Sequence, residues 1–180
     1  MKVFVAVGAK KNGNTDKIAD QFIKGALAAN CRVITEHLFL KKNMHGCIDC
    51  QSCKRNNGAC VWKDDVPEMI QELIDADVIV LASPVYFFSI SSQLKLFMDR
   101  TYAAIEKIKN KRVIFIATGE GPSDVYEEDF RRVIEPIQGF VRCFENTSLE
   151  KVICCFDMGT AEDITKTAAY SAAFECGASL

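Results

Sequence analysis

Four cysteines stand close together in the 180-residue chain: Cys47, Cys50, Cys53 and Cys60, with the spacing C-x2-C-x2-C-x6-C. Thiolates are soft ligands, and four of them on one loop can hold a single iron–sulfur cluster or a single zinc ion. The run lacks the C-x3-C-P ending of a ferredoxin site, and structural zinc sites more often use two cysteine pairs that lie further apart. The third hypothesis is that the loop carries four thiols that bind no metal. The spacing alone leaves all three open.

A second group of candidate residues lies in Gly8–Thr15, a loop with the sequence GAKKNGNT. Its glycines allow a close approach of the backbone to a ligand, Lys10 and Lys11 add positive charge, and Asn14 or Thr15 can cap a following helix. The free N–H groups of a helix start favour an anion. The loop matches neither the dinucleotide-binding nor the P-loop fingerprint, so a single phosphate, as in a mononucleotide, fits better than either. The alternative is a polar surface turn.

Three adjacent aromatic residues mark a third candidate segment, Ser83–Ser89, with the sequence SPVYFFS. Such a surface can flank a flat ring by stacking while its backbone groups meet the polar edge of the ring. The alternative is that these aromatics belong to the core or to a subunit interface. A further loop, Thr118–Pro122, has the sequence TGEGP.

The elements that must position these loops alternate between apolar strands and amphipathic helices. The predicted strands are Lys2–Gly8, Cys31–Leu40, Asp77–Ala82, Lys111–Thr118 and Lys151–Asp157. The predicted helices are Asn14–Asn30, Asp65–Asp75, Ser91–Ile108, Val125–Phe140 and Ala161–Cys176, with a kink or break at Pro136. Four of the strands are nearly continuous apolar runs, as expected for strands covered on both faces, and the second suits a sheet edge. The pattern predicts a three-layer, doubly wound α/β fold of the flavodoxin-like type, with a five-stranded parallel sheet of order 2-1-3-4-5.

Composition limits the class of protein. The chain has 49% hydrophobic and 26% charged residues, which predicts one globular domain over residues 1–180. A net charge of −2 gives no basic surplus for a nucleic acid or an anionic membrane, and no apolar run is long enough to cross a bilayer. The apolar N-terminus reads as a first strand. Nine cysteines without an export signal indicate a cytoplasmic location. The four clustered cysteines fall on an insert at about residues 41–63, and long loops in compact domains are often functional.

Together these stretches resemble the NADPH-dependent FMN reductase branch of the flavodoxin superfamily, and within it the iron–sulfur flavoproteins and their cluster-lacking relatives. The residues that carry the resemblance are Gly8–Thr15, the cysteine run, Cys60–Asp65, Ala76–Phe87 and Gln93–Arg100. The likeness is good over about residues 1–120 and rests mainly on the alternation of elements beyond them. It implies a flavodoxin-like fold and an FMN cofactor.

The resemblance also implies site residues. The family's first loop, G-S-P-R-x-x-G-N-T, holds the FMN phosphate, with Lys11 here at the arginine and Ala9 at the serine, so one hydroxyl donor is lost and we expect weaker FMN binding. The residues that the resemblance assigns to FMN are Ala9, Lys11, Gly13, Asn14 and Thr15 in this loop, Pro84, Val85, Tyr86 and Phe87 along the isoalloxazine ring, and Thr118 and Gly119 in the third loop. For Asp99 and Arg100 we expect a structural role, as a local ion pair.

The implied activity is that of an FMN-dependent oxidoreductase of the NAD(P)H:acceptor or flavin reductase type. Electrons would come from NAD(P)H or a protein donor and pass to an unidentified acceptor, in a homodimer or homotetramer. Cluster-bearing members of the family use a C-x2-C-x2-C-x(4–7)-C motif, so the four cysteines resemble a 4Fe–4S site, with zinc as the lesser metal alternative. No catalytic acid or base is implied. The alternatives are an electron-transfer protein that serves protein partners without a substrate pocket, and a flavodoxin-like domain without cofactor.

Overall fold

The computed structural model describes the backbone of residues 1–180 and the side chains of residues 1–122 and 131–180. Five parallel strands form one sheet in the order β2-β1-β3-β4-β5. The strands are β1 (Lys2–Val7), β2 (Arg32–His37), β3 (Val78–Pro84), β4 (Arg112–Thr118) and β5 (Ser148–Cys155). The helices are α1 (Asn14–Ala28), α2 (Ser52–Arg55), α3 (Val66–Asp75), α4 (Ser92–Arg100), α5 (Ser123–Arg142) and α6 (Ala168–Ala178). The predicted fold class and strand order are confirmed.

Two apolar layers cover the sheet, and side chains alternate between them along each strand. On β1, for example, Val3, Val5 and Val7 pack in the layer under α1 and α6, whereas Phe4 and Ala6 pack in the layer under α3, α4 and α5. The ring of Phe4 stacks on that of Phe97 in α4, with 5.8 Å between the ring centroids. Both faces of the central strands are therefore buried, which explains their uninterrupted apolar sequences.

The ends of several elements differ from the predictions. β2 stops at His37, because Leu38–Leu40 turns into a 3₁₀ helix that buries Leu38. The predicted helix Ser91–Ile108 is α4 followed by a 3₁₀ turn over Thr101–Ala104. The last predicted helix divides into a 3₁₀ turn at Asp163–Lys166 and α6.

Of the predicted kink or break at Pro136, the break is wrong, since α5 continues through this residue to Arg142, and the kink stays a prediction. A proline inside a helix removes one backbone hydrogen bond and costs about 3 kcal/mol. Val133, Ile137 and Val141 lie on either side of Pro136 and are buried against the sheet. Burial of such side chains stabilises by about 1.5–3 kcal/mol each, which outweighs the cost of the proline.

After the 3₁₀ helix at Leu38–Leu40, the insert before α3 contains one short helix, α2, and is otherwise irregular. No helix in the part of the chain with described side chains combines the length and the apolar character that a membrane span requires.

Candidate functional site

Four loops meet at the carboxyl edge of the sheet and enclose a crevice of about 280 Å³, which we call the strand-edge crevice. The loops follow β1, β3, β4 and β5. The residues that line the crevice are Ala9, Lys10, Gly13, Asn14, Thr15, Pro84, Val85, Tyr86, Thr118, Gly119, Glu120, Met158, Gly159, Thr160 and Ala161. All the residues assigned to FMN by resemblance are therefore brought together here, except Lys11 and Phe87. This edge is where doubly wound folds bind their ligands.

The first turn of α1 opens into the crevice without a side-chain cap. Gly13 occupies the N-cap position, so neither Asn14 nor Thr15 caps the helix as expected. The side chain of Asn14 instead reaches the loop after β5, where its Nδ2 donates to the Thr160 carbonyl (2.7 Å). The Thr15 hydroxyl lies 2.6 Å from the Thr118 hydroxyl, which ties α1 to the end of β4. These bonds hold the loops in register and leave N–H groups of α1 available to an anion.

The two lysines of the first loop diverge. Lys10 lines the crevice, whereas Lys11 turns away from it. The Lys11 Nζ lies 2.7 Å from Nε2 of His37, at the end of β2, and 3.7 Å from Oδ1 of Asp16. Asp16 is buried in α1 and its Oδ2 accepts a hydrogen bond from the Asn12 N–H (2.8 Å). The attraction of this buried carboxylate is the physical reason for the position of Lys11, so the cation beside the crevice is Lys10.

Burial of the His37 ring is the main cause that lowers its pKa below the ordinary value of 6.5, and the neighbouring charge of Lys11 lowers it further. The carboxylates of Asp16, Asp20 and Glu36 oppose this effect. Nδ1 of His37 lies 3.2 Å from Oδ1 of Asp16. His37, Lys11 and Asp16 thus form a cluster behind the phosphate-binding candidate loop. Sequence reasoning missed it because the three residues come from separate elements.

The aromatic loop after β3 forms a tight hairpin. Tyr86 and Ser89 exchange two backbone hydrogen bonds, of 2.9 and 3.0 Å. The central residues, Phe87 and Phe88, both have left-handed backbones, with φ of 49° and 59°. Two such values in succession match a type I′ turn, which is usually built from Asn and Gly, so this loop stores strain. Phe87 is 100% exposed and does not line the crevice, whereas Val85 and Tyr86 do.

The loops after β4 and β5 close the other side of the crevice. Gly119 donates to the Cys155 carbonyl (2.9 Å) and accepts a hydrogen bond from the Met158 N–H (3.1 Å). A Cβ on Gly119 would lie 2.7 Å from the Phe156 ring, so this close approach requires glycine. The loop after β5 contributes Met158 to Ala161, which sequence reasoning did not assign. Its position after the last strand was the available signal, since all parallel strands end at the same edge.

All four cysteines of the insert line a second, small pocket of about 30 Å³. Cys47 and Cys50 are exposed, and Cys53 and Cys60 are half-buried. The donor set suits an iron–sulfur cluster or a zinc ion. In residues 1–122 and 131–180, however, no three metal-binding side chains lie close enough together to ligate one ion. The structure gathers the four thiols around one pocket without bringing them to ligating distance.

Arg100, which lines this cysteine pocket, belongs to a buried ion pair. Nη1 and Nη2 of Arg100 donate to the two carboxylate oxygens of Asp64 (2.7 and 3.0 Å), and both side chains are 1% exposed. Nη1 also donates to the His45 carbonyl (2.6 Å), and the His45 ring stacks on that of Trp62. Burial opposes ionisation of Asp64, but the hydrogen bonds from Arg100 and from the backbone of His45 and Val66, together with the charge of Arg100, outweigh burial and lower the pKa of Asp64 to about 2. The expectation of a local pair between Asp99 and Arg100 is wrong, because Asp99 instead pairs with Lys95.

Comparison with known proteins agrees with this geometry. The chain is 38% identical over 103 residues to an iron–sulfur flavoprotein of Methanocaldococcus jannaschii, covering 56% of this chain and 52% of that protein. It is 34% identical over 101 residues to an iron–sulfur flavoprotein of Archaeoglobus fulgidus, covering 56% of this chain and 45% of that protein. The chain thus spans about half the length of these curated relatives.

A solved structure extends the likeness to the fold. The NAD(P)H:quinone oxidoreductase from Methanothermobacter marburgensis superposes with a TM-score of 0.76 at 13% identity, covering 99% of this chain and 94% of that one. At this identity the superposition establishes the flavodoxin-like fold alone. The family profile for NADPH-dependent FMN reductase matches residues 1–141, most of the chain. The chain therefore belongs to the NADPH-dependent FMN reductase family.

Proposed function

We propose that this chain is an FMN-dependent oxidoreductase that takes electrons from NAD(P)H and passes them to an acceptor. The single observation that carries the proposal is the strand-edge crevice, in which an uncapped helix start, an apolar wall and a cation meet. When bound, FMN would supply the redox chemistry, and the protein would supply position and local electrostatics.

Each wall of the crevice suits one part of FMN. The N–H groups at the start of α1, together with Lys10, would hold the phosphate, because a helix start and a cation both favour negative charge. Pro84, Val85 and Tyr86 would lie along the isoalloxazine ring, with Thr118 and Gly119 at its polar edge. Lys11 and Phe87 are not assigned contacts with the flavin. This is the change that the geometry makes to the sequence-based set.

We further propose that Cys47, Cys50, Cys53 and Cys60 bind a 4Fe–4S cluster, with zinc as the alternative. The supporting observations are the shared pocket and the similarity to proteins named iron–sulfur flavoproteins. A pocket of about 30 Å³ has the space of about one water molecule, so a cluster requires the insert to open around it. We expect this opening at the exposed Cys47 and Cys50, because Arg100, on the same pocket, is held by Asp64.

One observation favours the alternative function, electron transfer between proteins. Phe87 is fully exposed beside the crevice on a strained turn, and an exposed aromatic residue next to a redox site suits contact with another chain. That chain would be a protein partner or a second copy in the homodimer or homotetramer expected for the family. Stopped-flow reduction separates the two functions, because fast reduction of the flavin by NADPH alone contradicts a pure shuttle.

The test uses protein purified without oxygen and then titrated with FMN. We expect bound-flavin absorbance, and NADH or NADPH oxidation that depends on it. Gly119→Val should abolish both, because its side chain would collide with the Phe156 ring beside the crevice. Gly139→Ala is the matched control, since a Cβ there meets nothing within 4 Å. Folded wild-type protein that binds no FMN would contradict the proposal. Analysis of iron, sulfide and zinc in the same sample identifies which metal, if any, the four cysteines bind.

A further inference from the structure

One N–H of the Arg100 guanidinium is left without an acceptor. Nη1 and Nη2 are used by Asp64 and by the His45 carbonyl, but Nε is buried and has no hydrogen-bond partner among the groups that the structure describes. An unpaired buried donor costs about 1–3 kcal/mol. The whole side chain is 1% exposed, so water does not readily satisfy this group. Its position therefore suits an acceptor that belongs to the site.

The candidate hydrogen-bond acceptors for this group are cysteine sulfur atoms. Arg100 lines the same small pocket as the four cysteines. Of the four cysteines, Cys60 is the one that also lines the neighbouring cavity together with Arg100. A metal-bound thiolate carries negative charge and accepts a stronger hydrogen bond than a neutral thiol does.

We propose that Arg100 is a positioning residue of the four-cysteine site, whose Nε–H donates a hydrogen bond to the metal-bound sulfur of Cys60. The inference rests on the proposed metal site. A cluster becomes more negative on reduction, so a hydrogen bond to its ligand sulfur stabilises the reduced form more and raises the reduction potential. The two hydrogen bonds that Nη1 and Nη2 donate to Asp64 fix the orientation of the guanidinium.

The test compares Arg100→Lys with Arg55→Lys after anaerobic reconstitution with iron and sulfide. Lysine keeps the positive charge but lacks the planar fork. Arg55 is the matched control, because it lies on the same insert and donates to the Cys50 carbonyl (3.3 Å) but does not line the cysteine pocket. We expect Arg100→Lys to retain FMN and to shift the cluster potential, followed by electron paramagnetic resonance, to a more negative value. Arg55→Lys should match the wild type. Equal potentials in Arg100→Lys and the wild type overturn the inference.

A second measurement covers the case in which Arg100→Lys does not fold. Wild-type protein and Arg55→Lys are labelled with ¹⁵N-arginine, and pulsed resonance spectra of the reduced cluster are recorded. A weak ¹⁵N coupling present in both samples supports a bond from Arg100, whereas its absence from both, or its loss in Arg55→Lys alone, overturns the inference.

Wild-type protein that takes up no iron would contradict the proposed cluster, and cobalt(II) then decides the inference separately. Thiolate-to-cobalt absorbance reports metal binding at the four cysteines. We expect Arg100→Lys to bind cobalt several-fold more weakly than the wild type and Arg55→Lys to bind it equally. Equal cobalt affinity of Arg100→Lys and the wild type, or the absence of thiolate-to-cobalt absorbance in the wild type, overturns the inference.

Discussion

Single residues in the first loop have opposite tasks although they are neighbours of the same type. Lys10 lines the strand-edge crevice, and Lys11 contacts His37 and the buried Asp16. Adjacent residues in a loop often point in different directions, and the available interaction partners determine the position of each side chain. The resemblance assigned Lys11 to the phosphate, whereas the proposed function gives that task to Lys10, because Lys10 lines the crevice.

Exchange of each lysine for glutamine tests this division. Lys10→Gln should weaken FMN binding about two- to fivefold, because an exposed cation near a helix start contributes about 0.3–1 kcal/mol. The effect should decrease with salt, which screens exposed charges. Lys11→Gln should leave the FMN dissociation constant unchanged and lower the thermal stability. Fluorescence titration at two salt concentrations measures both, and the reverse order of effects would return Lys11 to the phosphate.

His37 should make the stability of the protein depend on pH. Its pKa is lowered in the folded state, so below pH 6.5 the unfolded chain binds more protons at this residue. The stability is fully present above pH 6.5 and is lost as the pH falls through 6.5 towards the lowered pKa. Urea unfolding at pH 8, 7, 6 and 5.5 should show a steeper loss for the wild type than for His37→Gln. Equal slopes for the two proteins would show that His37 is not responsible.

At the scale of elements, two glycines allow α1 and α6 to touch. A Cβ on Gly25 would lie 2.1 Å from the Phe174 carbonyl oxygen, and a Cβ on Gly177 would lie 2.2 Å from that of Phe22. These contacts are reciprocal, so the two backbones meet where neither helix carries a side chain. The crossing fixes α6 against α1, the helix whose first turn borders the crevice.

Alanine at Gly25 should destabilise the fold by about 1–3 kcal/mol or more, since backbone atoms of α6 must move to make room. Alanine at Gly139 in α5 provides the control, because its Cβ would meet no atom within 4 Å. There the loss of glycine's backbone freedom should stabilise the helix by about 0.5–1 kcal/mol. Denaturant unfolding of the two variants measures both changes. Equal stabilities would contradict the close crossing.

The elements were predictable where burial on both faces determines the sequence. The central strands β1, β3 and β4 read as apolar runs, and their order followed from the alternation of strands and helices. Local turns were less predictable. The 3₁₀ turn at Leu38–Leu40 depends on burial of Leu38. The helix α5 continues past Pro136 because buried residues before and after the proline pack against the sheet. The left-handed turn at Phe87 was not predictable either, since its sequence is unfavourable for that conformation.

At the scale of the whole molecule, the position of the site was predictable from the sequence, whereas the directions of its side chains were not. Topology placed three loops at one edge from the sequence alone, and it would also have placed the loop after β5. Side-chain directions depend on tertiary partners, so Lys11, Phe87 and the Arg100–Asp64 pair required the structure. The single domain over residues 1–180 stays a proposal, and the meeting of loops from four strands in one crevice supports it. Asn14 joins two of them, with its Oδ1 accepting from the Ile164 N–H (3.3 Å).

A single domain of this kind should unfold in one transition that FMN shifts as a whole. FMN at about one hundred times its dissociation constant should stabilise the fold by about 2.7 kcal/mol, or raise the melting temperature by roughly 5–10 °C. Asn14→Ala should lower the melting temperature without FMN and reduce the shift, because it unties the first loop from the loop after β5. Calorimetry with and without FMN tests this. Two transitions, of which FMN moves only one, would mean that residues 1–180 are not one cooperative unit, since ligand binding stabilises only the structure to which it is coupled.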